Sequence, residues 1–259
     1  MGRQLKITTW NVNSIKARKD SVLNWLDRNR PDILCMQELK TREDAFPFEA
    51  IKALGYHAVV NGQQTYNGVA IVSKTEPTDV ARGMGDNDPQ ARLISADIAG
   101  IRVVCAYVPN GAEVDSDKYA YKLEWLSRFR DWLGPIIASG RDMVVAGDFN
   151  MAAGEKDVHS PSRWEGTVIW NERMRQEFRL LEECGLVDTF RRVNPDAREY
   201  SWWDYRLAGF ARNHGLRIDY VMASPDLAAR ASRAEIDRKE RGIEKPSDHA
   251  PVTVEFELP

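Results

Sequence analysis

Polar residues follow several hydrophobic, strand-like runs of this 259-residue chain, close to the point where each run ends. In K-P-S-D-H-A-P-V, Asp248 and His249 stand side by side between two prolines. Polar residues also end or follow strand-like runs in five other motifs: W-N-V-N, Q-E-L-K, Y-V-P-N-G, G-D-F-N and L-R-I-D-Y. These motifs supply Asn11, Glu38, Tyr107, Asn110, Asp148, Asn150 and Asp219. If the strand ends converge in the fold, these side chains form one site.

This set of carboxylates, carboxamides, one phenol and one imidazole contains no serine or cysteine nucleophile paired with a base. Oxygen-rich ligand sets suit hard divalent ions such as Mg²⁺, whereas zinc sites use more histidine or cysteine. Hydrolysis of a phosphate ester needs a divalent ion, a group that orients or activates water, and donors to the phosphoryl oxygens. The residue types therefore indicate metal-dependent hydrolysis of a phosphate ester.

Each motif also has a plainer structural interpretation. G-D-F-N on its own is more typical of a turn after a strand, in which Asp148 and Asn150 bind backbone groups. Glu38 on its own is typical of a solvated or helix-capping acid, and Tyr107 of a tyrosine at the edge of the core. The catalytic interpretation rests on the whole set and not on a single motif.

Asp219 stands between Ile218 and Tyr220 in an otherwise apolar strand, where an unpaired charge is costly. We expect His249 to be its partner. An imidazole held by one carboxylate keeps a defined tautomer or stays protonated, which suits a donor aimed at a phosphoryl oxygen. A lone histidine is more often structural, but the neighbouring Asp248 and the other strand-end groups favour a functional role for His249.

The hydrophobic pattern predicts strands at residues 5–10, 33–37, 57–60, 69–74, 93–98, 102–108, 143–147, 217–223 and 252–257. It predicts helices at residues 18–28, 118–133 and 172–183. The strands between 57 and 108 are joined only by turn-like links and are expected to pair as an antiparallel meander. Strand and helix alternate elsewhere, so we expect a mixed α/β fold with two sheets packed face to face and helices outside, in one domain over residues 1–259.

The composition excludes several classes of protein. The net charge of −3 rules out a uniformly basic nucleic-acid coat, although an enzyme can confine positive charge to one face. Cys35, Cys105 and Cys184 lack zinc-like spacing, so we expect reduced thiols in a reducing compartment. The first residues carry no apolar signal core and no apolar run has the length of a membrane span. We therefore expect a cytoplasmic protein that works at the nucleoid, with no membrane partner.

Eight motifs in order carry a resemblance to a known family. They are W-N-V-N-S-I-K-A-R, Q-E-L-K, Y-V-P-N-G, G-D-F-N, G-L-V-D-T-F-R, S-W-W-D-Y-R, G-L-R-I-D-Y-V-M-A-S and K-P-S-D-H-A-P-V. In this order they resemble the bacterial exonuclease III family of apurinic/apyrimidinic endonucleases, and the resemblance runs from Lys6 to Phe256. One tetrapeptide would be weak evidence, whereas eight in order are specific.

The resemblance implies a four-layered α/β sandwich of the endonuclease/exonuclease/phosphatase superfamily, with two mixed, mostly antiparallel sheets between helices. It implies cleavage 5′ to abasic sites in duplex DNA that depends on Mg²⁺, with Mn²⁺ as a substitute. It also implies 3′-to-5′ exonuclease, 3′-phosphatase and 3′-phosphodiesterase activities. We expect a monomer whose partner is double-stranded DNA with abasic sites or blocked 3′ ends.

The resemblance implies a catalytic set of Tyr107, Asp148, Asn150, Asp219 and His249, and a metal set of Asn11, Glu38, Asp148, Asn150 and Asp248. Glu38 resembles the principal metal ligand, and Asp148 resembles the acid that orients or deprotonates water. Asn150 resembles a residue that holds this water or the transition state, and Tyr107 a phosphate contact. Ser14 and Asn13 depart from the commonest pattern of the family, so no metal contact is assigned to Asn13.

The segment from Ser201 to Asp219 is expected to select the substrate. Its aromatic residues alternate with Arg206, Arg212 and Arg217, which suits a loop that inserts into DNA while arginines neutralise phosphates. In the family that it resembles, the positions of Trp202, Leu216 and Ile218 line a small apolar pocket for a flipped-out abasic sugar. The expected DNA and abasic-pocket set is Asn110, Trp202, Arg206, Leu216 and Ile218, whereas Trp203 is expected in the core.

Two alternative functions stay open at this point. A family member specialised as a 3′-phosphatase or exonuclease, with weak abasic-site cleavage, would share the same metal site, because small changes in the pocket loops exclude abasic sugars. A catalytically silent DNA-binding protein would require the loss of a catalytic group. That alternative is disfavoured, because the complete catalytic set is present.

Overall fold

The computed structural model describes residues 3–258. Its strands are β1 Arg3–Asn11, β2 Ile33–Gln37, β3 His57–Asn61, β4 Val69–Ser73, β5 Thr78–Arg82, β6 Leu93–Ile98, β7 Ile101–Tyr107, β8 Met143–Asp148, β9 Val187–Asp188, β10 Trp202–Trp203, β11 Gly215–Leu216, β12 Asp219–Ala223, β13 Ala231–Ile236 and β14 Val252–Leu258. Its helices are α1 Ile15–Asn29, α2 Phe48–Ala53, α3 Asp117–Ala138, α4 Pro161–Trp164, α5 Glu172–Glu183, α6 Thr189–Val193 and α7 Pro225–Ala228. Between residues 3 and 258 no helix is both long and apolar enough for a membrane crossing.

Two six-stranded sheets form the centre of the molecule. The first has the order β13-β14-β1-β2-β4-β3, and the second has the order β5-β6-β7-β8-β12-β9. In each sheet one neighbouring pair is parallel, β1 with β2 and β7 with β8, and the remaining pairs are antiparallel. Helices α1 and α3 make the long crossovers that parallel pairing requires. The predicted mixed, mostly antiparallel arrangement is confirmed.

Apolar side chains on alternate strand positions hold the two sheets face to face. Ile7 and Ile33 of the first sheet and Val103 and Val144 of the second belong to one buried cluster. The outer face of the first sheet packs against α1, and the outer face of the second packs against α3 and α5. The layers therefore run helix, sheet, sheet, helix, which confirms the four-layered sandwich.

The predicted single meander between residues 57 and 108 is wrong. Strands β3 and β4 pair with each other in the first sheet, whereas β5, β6 and β7 pair in the second. Strand β4 already has β2 on its other edge, so β6 has no free edge to join there. The link between β4 and β5 crosses from one sheet to the other. Strand β5 was not predicted, because its sequence T-D-V-A-R is largely polar and lies at a sheet edge.

The predicted helices are present with shifted ends. The helix predicted at 172–183 has these bounds in the structure. Helix α1 begins at Ile15 because the Ser14 side chain caps it by accepting from the Ala17 amide. Helix α3 continues to Ala138, and its buried stripe includes Lys122 and Trp125.

The strand registers bring the polar strand ends to one edge of the sandwich. Asp148 at the end of β8 lies between Tyr107 at the end of β7 and Asp219 at the start of β12. In the first sheet, Asn11 lies opposite Gln37, the residue before Glu38. The same edge of both sheets therefore presents the residues that the sequence singles out.

Candidate active site

His249 and Asp219 form a buried pair at the centre of this edge. The Nδ1 atom of His249 lies 2.8 Å from Oδ2 of Asp219, and the two residues are 3% and 0% exposed. The Ser201 hydroxyl donates to the same carboxylate oxygen at 2.6 Å. The expected contact between Asp219 and His249 is therefore present, and it fixes the direction of the imidazole ring.

The neighbouring carboxylates control the charge of His249. Burial alone would lower the pKa of His249, but Asp219 and Asp148 raise it to about 10. The Nε2 atom of His249 lies 3.7 Å from Oδ2 of Asp148. Burial raises the pKa of Asp148 to about 7, while the positive charge of His249 opposes this shift. At neutral pH the imidazole therefore carries a proton and a positive charge on the side that faces Asp148.

Asp148 is held by three donors at the end of β8. The Asn11 side chain donates to Oδ2 at 2.9 Å, the Asn150 backbone amide donates to Oδ1 at 2.9 Å, and the Asn150 side chain donates to Oδ2 at 3.3 Å. Gly147 precedes Asp148 and lies against Ala106 of the neighbouring strand β7. The two strands can lie this close because Gly147 has no Cβ, which would otherwise be 1.9 Å from the Ala106 carbonyl oxygen. The G-D-F-N motif therefore combines close packing of β8 against its neighbour β7 with a fixed carboxylate.

Glu38 has both carboxylate oxygens engaged. Asn11 and the Tyr107 hydroxyl each donate to Oε1 at 2.9 Å, and Lys40 lies 2.8 Å from Oε2. Burial alone would raise the pKa of Glu38, but the Asn11 and Lys40 contacts outweigh it and lower this pKa. Glu38 also has φ of 52°, a strained left-handed conformation for a residue with a Cβ. The loop is thus held in a costly conformation that directs the carboxylate toward Asn11.

Asn11 links the two acids. Its side-chain nitrogen donates to both Glu38 and Asp148, while its oxygen accepts from the Asn13 amide at 3.0 Å. The sheets therefore bring Glu38 and Asp148 to the same amide group. Burial raises the pKa of the Tyr107 hydroxyl well above its ordinary value, and the charges of Glu38 and Asp148 add to this effect.

The donor set fits a hard divalent cation. Glu38, Asp148 and His249 each offer one ligand atom within 4.8 Å of the others, among the residues that the structure describes. Carboxylate oxygens suit Mg²⁺ and Mn²⁺ better than soft metals. His249 is the weaker ligand of the three, because an imidazolium has no free lone pair at Nε2. Lys40 already places one positive charge beside Glu38, as expected where carboxylate oxygens converge.

Asp248 lies away from this cluster. Its two oxygens accept from the Asn13 side chain at 2.9 Å and from the Trp202 indole at 3.0 Å. Adjacent residues in extended chain point in different directions, so Asp248 and His249 serve different neighbours. The structure therefore groups Asp248 with the loop that carries Trp202, while Glu38 and Asp148 form the acidic cluster.

Lys122 is a buried part of the site that the motif search missed. Its ammonium group is 0% exposed and donates to the carbonyl oxygens of Asn110, Asn150 and Val168 at 3.1, 2.7 and 2.7 Å. Burial lowers the pKa of Lys122 to about 7, against the attraction of Asp148. One buried amino group thus ties together the three loops that carry Asn110, Asn150 and Val168. The sequence could have indicated this burial, since Lys122 occupies the apolar stripe of α3 between Tyr119 and Leu126.

The amide groups of Asn110 and Asn150 form the front of the same arrangement. The Asn110 side chain donates to the Asn150 side-chain oxygen at 2.9 Å, and Asn150 donates to the Val108 carbonyl at 3.0 Å. Asn150 has φ of 48°, a conformation that asparagine tolerates better than most residues. These contacts set the position of Asn150 beside Asp148.

Comparison with known proteins agrees with this geometry. The model of the Endonuclease/Exonuclease/phosphatase family matches residues 8–249. The chain belongs to this family. It is 33% identical to exodeoxyribonuclease III of Haemophilus influenzae over 97% of this chain and 100% of that protein. The 3′-phosphatase NExo from Neisseria, bound to a product DNA hairpin, and an AP endonuclease from Archaeoglobus fulgidus each superpose with a TM-score of 0.96 at 43% identity, over 98% of this chain and 100% of theirs. The resemblance to the exonuclease III group is confirmed.

The residues expected to line an abasic pocket differ in their exposure. Trp202 pairs with Leu216 across β10 and β11 and is half-buried, with its indole toward Asp248. Leu216 and Ile218 are 0% and 1% exposed, because both pack into the cluster beneath α3 and α5. Of the three expected pocket residues, Trp202 alone presents surface, while Leu216 and Ile218 support it from below. Trp203 is 0% exposed and belongs to the core, as predicted.

Two arginines of this loop lie in opposite environments. Arg206 is exposed, with 84% of its side chain accessible, and forms a salt bridge with Asp204. Arg217 is fully buried and bonds Asp157 and Asp188, each at 2.7 Å. The expectation that Arg217 neutralises DNA phosphates is therefore wrong. Its charge is used inside the protein, where the two acids compensate it.

Proposed function

We propose that the chain is a divalent-metal-dependent DNA-repair phosphodiesterase that cleaves 5′ to abasic sites in duplex DNA. The proposal includes 3′-to-5′ exonuclease, 3′-phosphatase and 3′-phosphodiesterase activities, and a monomer as the active form. The observation that carries it is the buried Asp219–His249 pair beside the carboxylates of Asp148 and Glu38. A positively charged donor next to two carboxylates that suit a hard cation matches the requirements of phosphodiester hydrolysis.

Glu38 and Asp148 would hold Mg²⁺, or Mn²⁺ in its place, with Asn11 fixing both acids and Asn150 and Asp248 as neighbours of the site. When bound, the ion supplies positive charge that stabilises the developing charge on the phosphoryl oxygens. Asn11 contributes by holding the two acids at a fixed separation. This arrangement needs no rearrangement of the acids before the reaction.

The chain's own residues divide the remaining work. His249 donates a hydrogen bond to a phosphoryl oxygen, and Asp219 keeps its ring in place. Asp148 orients the attacking water and accepts its proton, while Asn150 holds that water. The Tyr107 hydroxyl contacts the phosphate. Each role follows from a group already fixed by hydrogen bonds, so little entropy is lost when the substrate binds.

The substrate-facing set is Asn110, Trp202, Arg206, Leu216 and Ile218. In this proposal Trp202 contacts the extruded sugar, with Leu216 and Ile218 beneath it. Arg206 neutralises a DNA phosphate after exchanging its bond with Asp204. Asn110 positions the loop beside the phosphate through its bond with Asn150.

One observation favours a second candidate, a family member specialised for 3′-phosphate removal or exonuclease cleavage. Leu216 and Ile218 are buried, which leaves little open apolar surface for an abasic sugar. A 3′-phosphatase from Neisseria is also among the structures with a TM-score of 0.96. The two candidates share the same metal site and differ in the pocket.

One experiment separates the candidates. A duplex with a single internal tetrahydrofuran residue is incubated with nanomolar protein and Mg²⁺, and with EDTA as a control, beside a duplex primer with a 3′ phosphate. We expect a nick 5′ to the tetrahydrofuran and loss of the 3′ phosphate, both abolished by EDTA. Phosphate removal without the nick would favour the specialised enzyme, and neither activity would exclude both.

A further inference from the structure

A cavity of about 260 Å³ lies beside Trp202 and outside the catalytic cluster. His159, Trp164 and His214 contribute rings to its walls, and Arg163 and Arg206 contribute positive charge. The apolar Leu207 and the acid Asp204, which pairs with Arg206, also line it. An apolar cavity of about 150 Å³ accepts one benzene-sized ring. The larger cavity therefore has room for a flat ring with exocyclic polar groups.

Two histidines that stack on each other line this cavity. The rings of His159 and His214 stack with centroids 4.7 Å apart and an angle of 9° between their planes. The His159 backbone amide and Nδ1 lie 3.1 and 3.2 Å from the Gly215 carbonyl oxygen, which fixes this ring. Burial lowers the pKa of His159, which favours its uncharged ring. Histidine rings and arginine planes are surfaces on which nucleobases stack.

Trp202 connects this cavity to the catalytic residues. On one side its ring contacts Trp164 of the cavity wall, with centroids 5.9 Å apart at 84°. On the other side its indole donates to Asp248, the residue before His249, at 3.0 Å. A phosphate at His249 and a sugar at Trp202 would therefore place the attached base toward the cavity.

We propose that this cavity binds the nucleobase of an unpaired 3′-terminal nucleotide while His249 faces the phosphodiester on its 5′ side. The inference rests on the proposed function, which supplies the phosphate at His249. It explains how one site serves two substrates. An abasic sugar reaches Trp202 and stops there, whereas a complete nucleotide continues into the stacked histidines.

The rim of the cavity suits a DNA end. Leu207 is 81% exposed, and Leu207 and Ala208 have φ of 57° and 52°. Two successive left-handed residues with a Cβ are uncommon. The exposed apolar Leu207 lies where it would contact the last base pair and help to keep the terminal nucleotide unpaired.

A matched pair of substrates tests the proposal. Both are duplexes whose last 3′ residue is unpaired, one with a base and one with tetrahydrofuran, so the same phosphodiester is cleaved with or without a base. In the double variant His159→Ala/His214→Ala, kcat/KM for the base-bearing end should fall about tenfold, as expected when one stacking contact is lost. The tetrahydrofuran end should change less than about twofold, since it does not reach the stacked rings. Equal losses on both ends, or no loss on either, would overturn the proposal.

A binding measurement tests the same contact without turnover. With 2-aminopurine as the unpaired 3′-terminal base and EDTA present, binding should quench the fluorescence in the wild type and less so in the double variant. The single variant His214→Ala gives the same comparison if the double variant does not fold, because His214 is only half-buried. The assignment would be contradicted if the variants quenched the fluorescence as strongly as the wild type does. It would also be contradicted if quenching occurred only with 2-aminopurine placed opposite an internal tetrahydrofuran. Failure of the proposed function would appear separately, as a wild type that cleaves neither DNA end.

Discussion

At the scale of single residues, the site depends on charges that the protein has placed in fixed positions. The proton on His249 is held by Asp219, and the direction of Asp148 is held by Asn11 and Asn150. In a buried environment, each such contact affects both the charge and the orientation of a catalytic group. Removal of one group therefore leaves a specific defect that kinetics can identify.

Replacement of His249 tests the central donor. His249→Ala should lower kcat for tetrahydrofuran nicking by about 10²–10³ or more, because a positioned donor to the developing charge is lost. The fold should persist, as measured by circular dichroism and thermal unfolding. The matched control is His57→Ala, an exposed histidine on β3, which should keep wild-type rates. Nicking by His249→Ala at near the wild-type rate would refute the assignment.

Replacement of Lys122 tests a positioning role. Lys122→Met keeps the length of the side chain but leaves three carbonyl oxygens without their donor, which should destabilise the fold by about 1–3 kcal/mol. The loops with Asn110 and Asn150 should then move, so kcat should fall more than KM rises. Steady-state kinetics and urea unfolding measure the two effects.

Lys52→Met, at an exposed helix position, is the matched control and should change neither quantity. A Lys122→Met variant with lower stability but unchanged kcat would show that Lys122 only supports the fold.

At the scale of elements, a buried clamp joins the loop before β12 to two distant segments. Arg217 bonds Asp157 in a 3-10 turn and Asp188 at the end of β9. Its guanidinium also lies over the ring of Tyr220, 4.6 Å from the centroid. The clamp sets the start of β12, and with it the position of Asp219.

Arg217→Met should cost about 3–5 kcal/mol of unfolding free energy, because it leaves two buried acids without their cation. Urea unfolding at pH 7 measures this loss. The exposed Arg212→Met is the matched control and should stay close to the wild type. A loss of under 1 kcal/mol in Arg217→Met would mean that the acids find other partners or take up protons.

The same clamp predicts a pH dependence. Burial alone would raise the pKa of Asp157, but Arg217 and Arg191 outweigh it and hold this pKa below the ordinary value. The resulting stabilisation is present above the unfolded pKa of about 3.9 and is lost as the pH falls through the lower folded pKa. The stability difference between wild type and Asp157→Asn should therefore be constant from pH 7 to about 5 and shrink below about pH 4. Urea unfolding of both proteins across this pH range measures the stability difference. If this difference did not depend on pH, the ion pair of Asp157 would be excluded as its source.

Local sequence patterns predicted the strands whose ends carry the site, because buried strands read as continuous apolar runs. They did not predict which sheet each strand joins, since β4 and β6 are both largely apolar and buried, and the partner of each strand is set by distant parts of the chain. The burial of Arg217 was also hidden, because its partners lie 60 and 29 residues away. Lys122 was readable, since a cation in an apolar stripe requires buried acceptors.

At the scale of the whole molecule, a protein with net charge −3 must concentrate positive charge where DNA binds. Lys40, Arg92 and Lys118 line a cavity of about 570 Å³ beside Glu38 and Tyr107. Arg163 and Arg206 line the cavity beyond Trp202. The basic groups therefore lie on both sides of the catalytic residues, along the path that a DNA backbone would follow.

This distribution predicts a steep salt dependence of substrate capture. If three to five of these groups neutralise phosphates, log kcat/KM for the tetrahydrofuran duplex should fall against log salt with a slope of about −2.7 to −4.5. kcat should change little, because the buried Asp219–His249 pair is shielded from salt. Lys118→Ala should reduce the slope by about one, whereas Lys52→Ala, which lines no part of this path, should leave it unchanged. A slope near zero would mean that uncharged contacts dominate DNA recognition. If Lys118→Ala and Lys52→Ala changed the slope equally, the salt dependence would reflect the net charge of the protein and not the basic groups on this face.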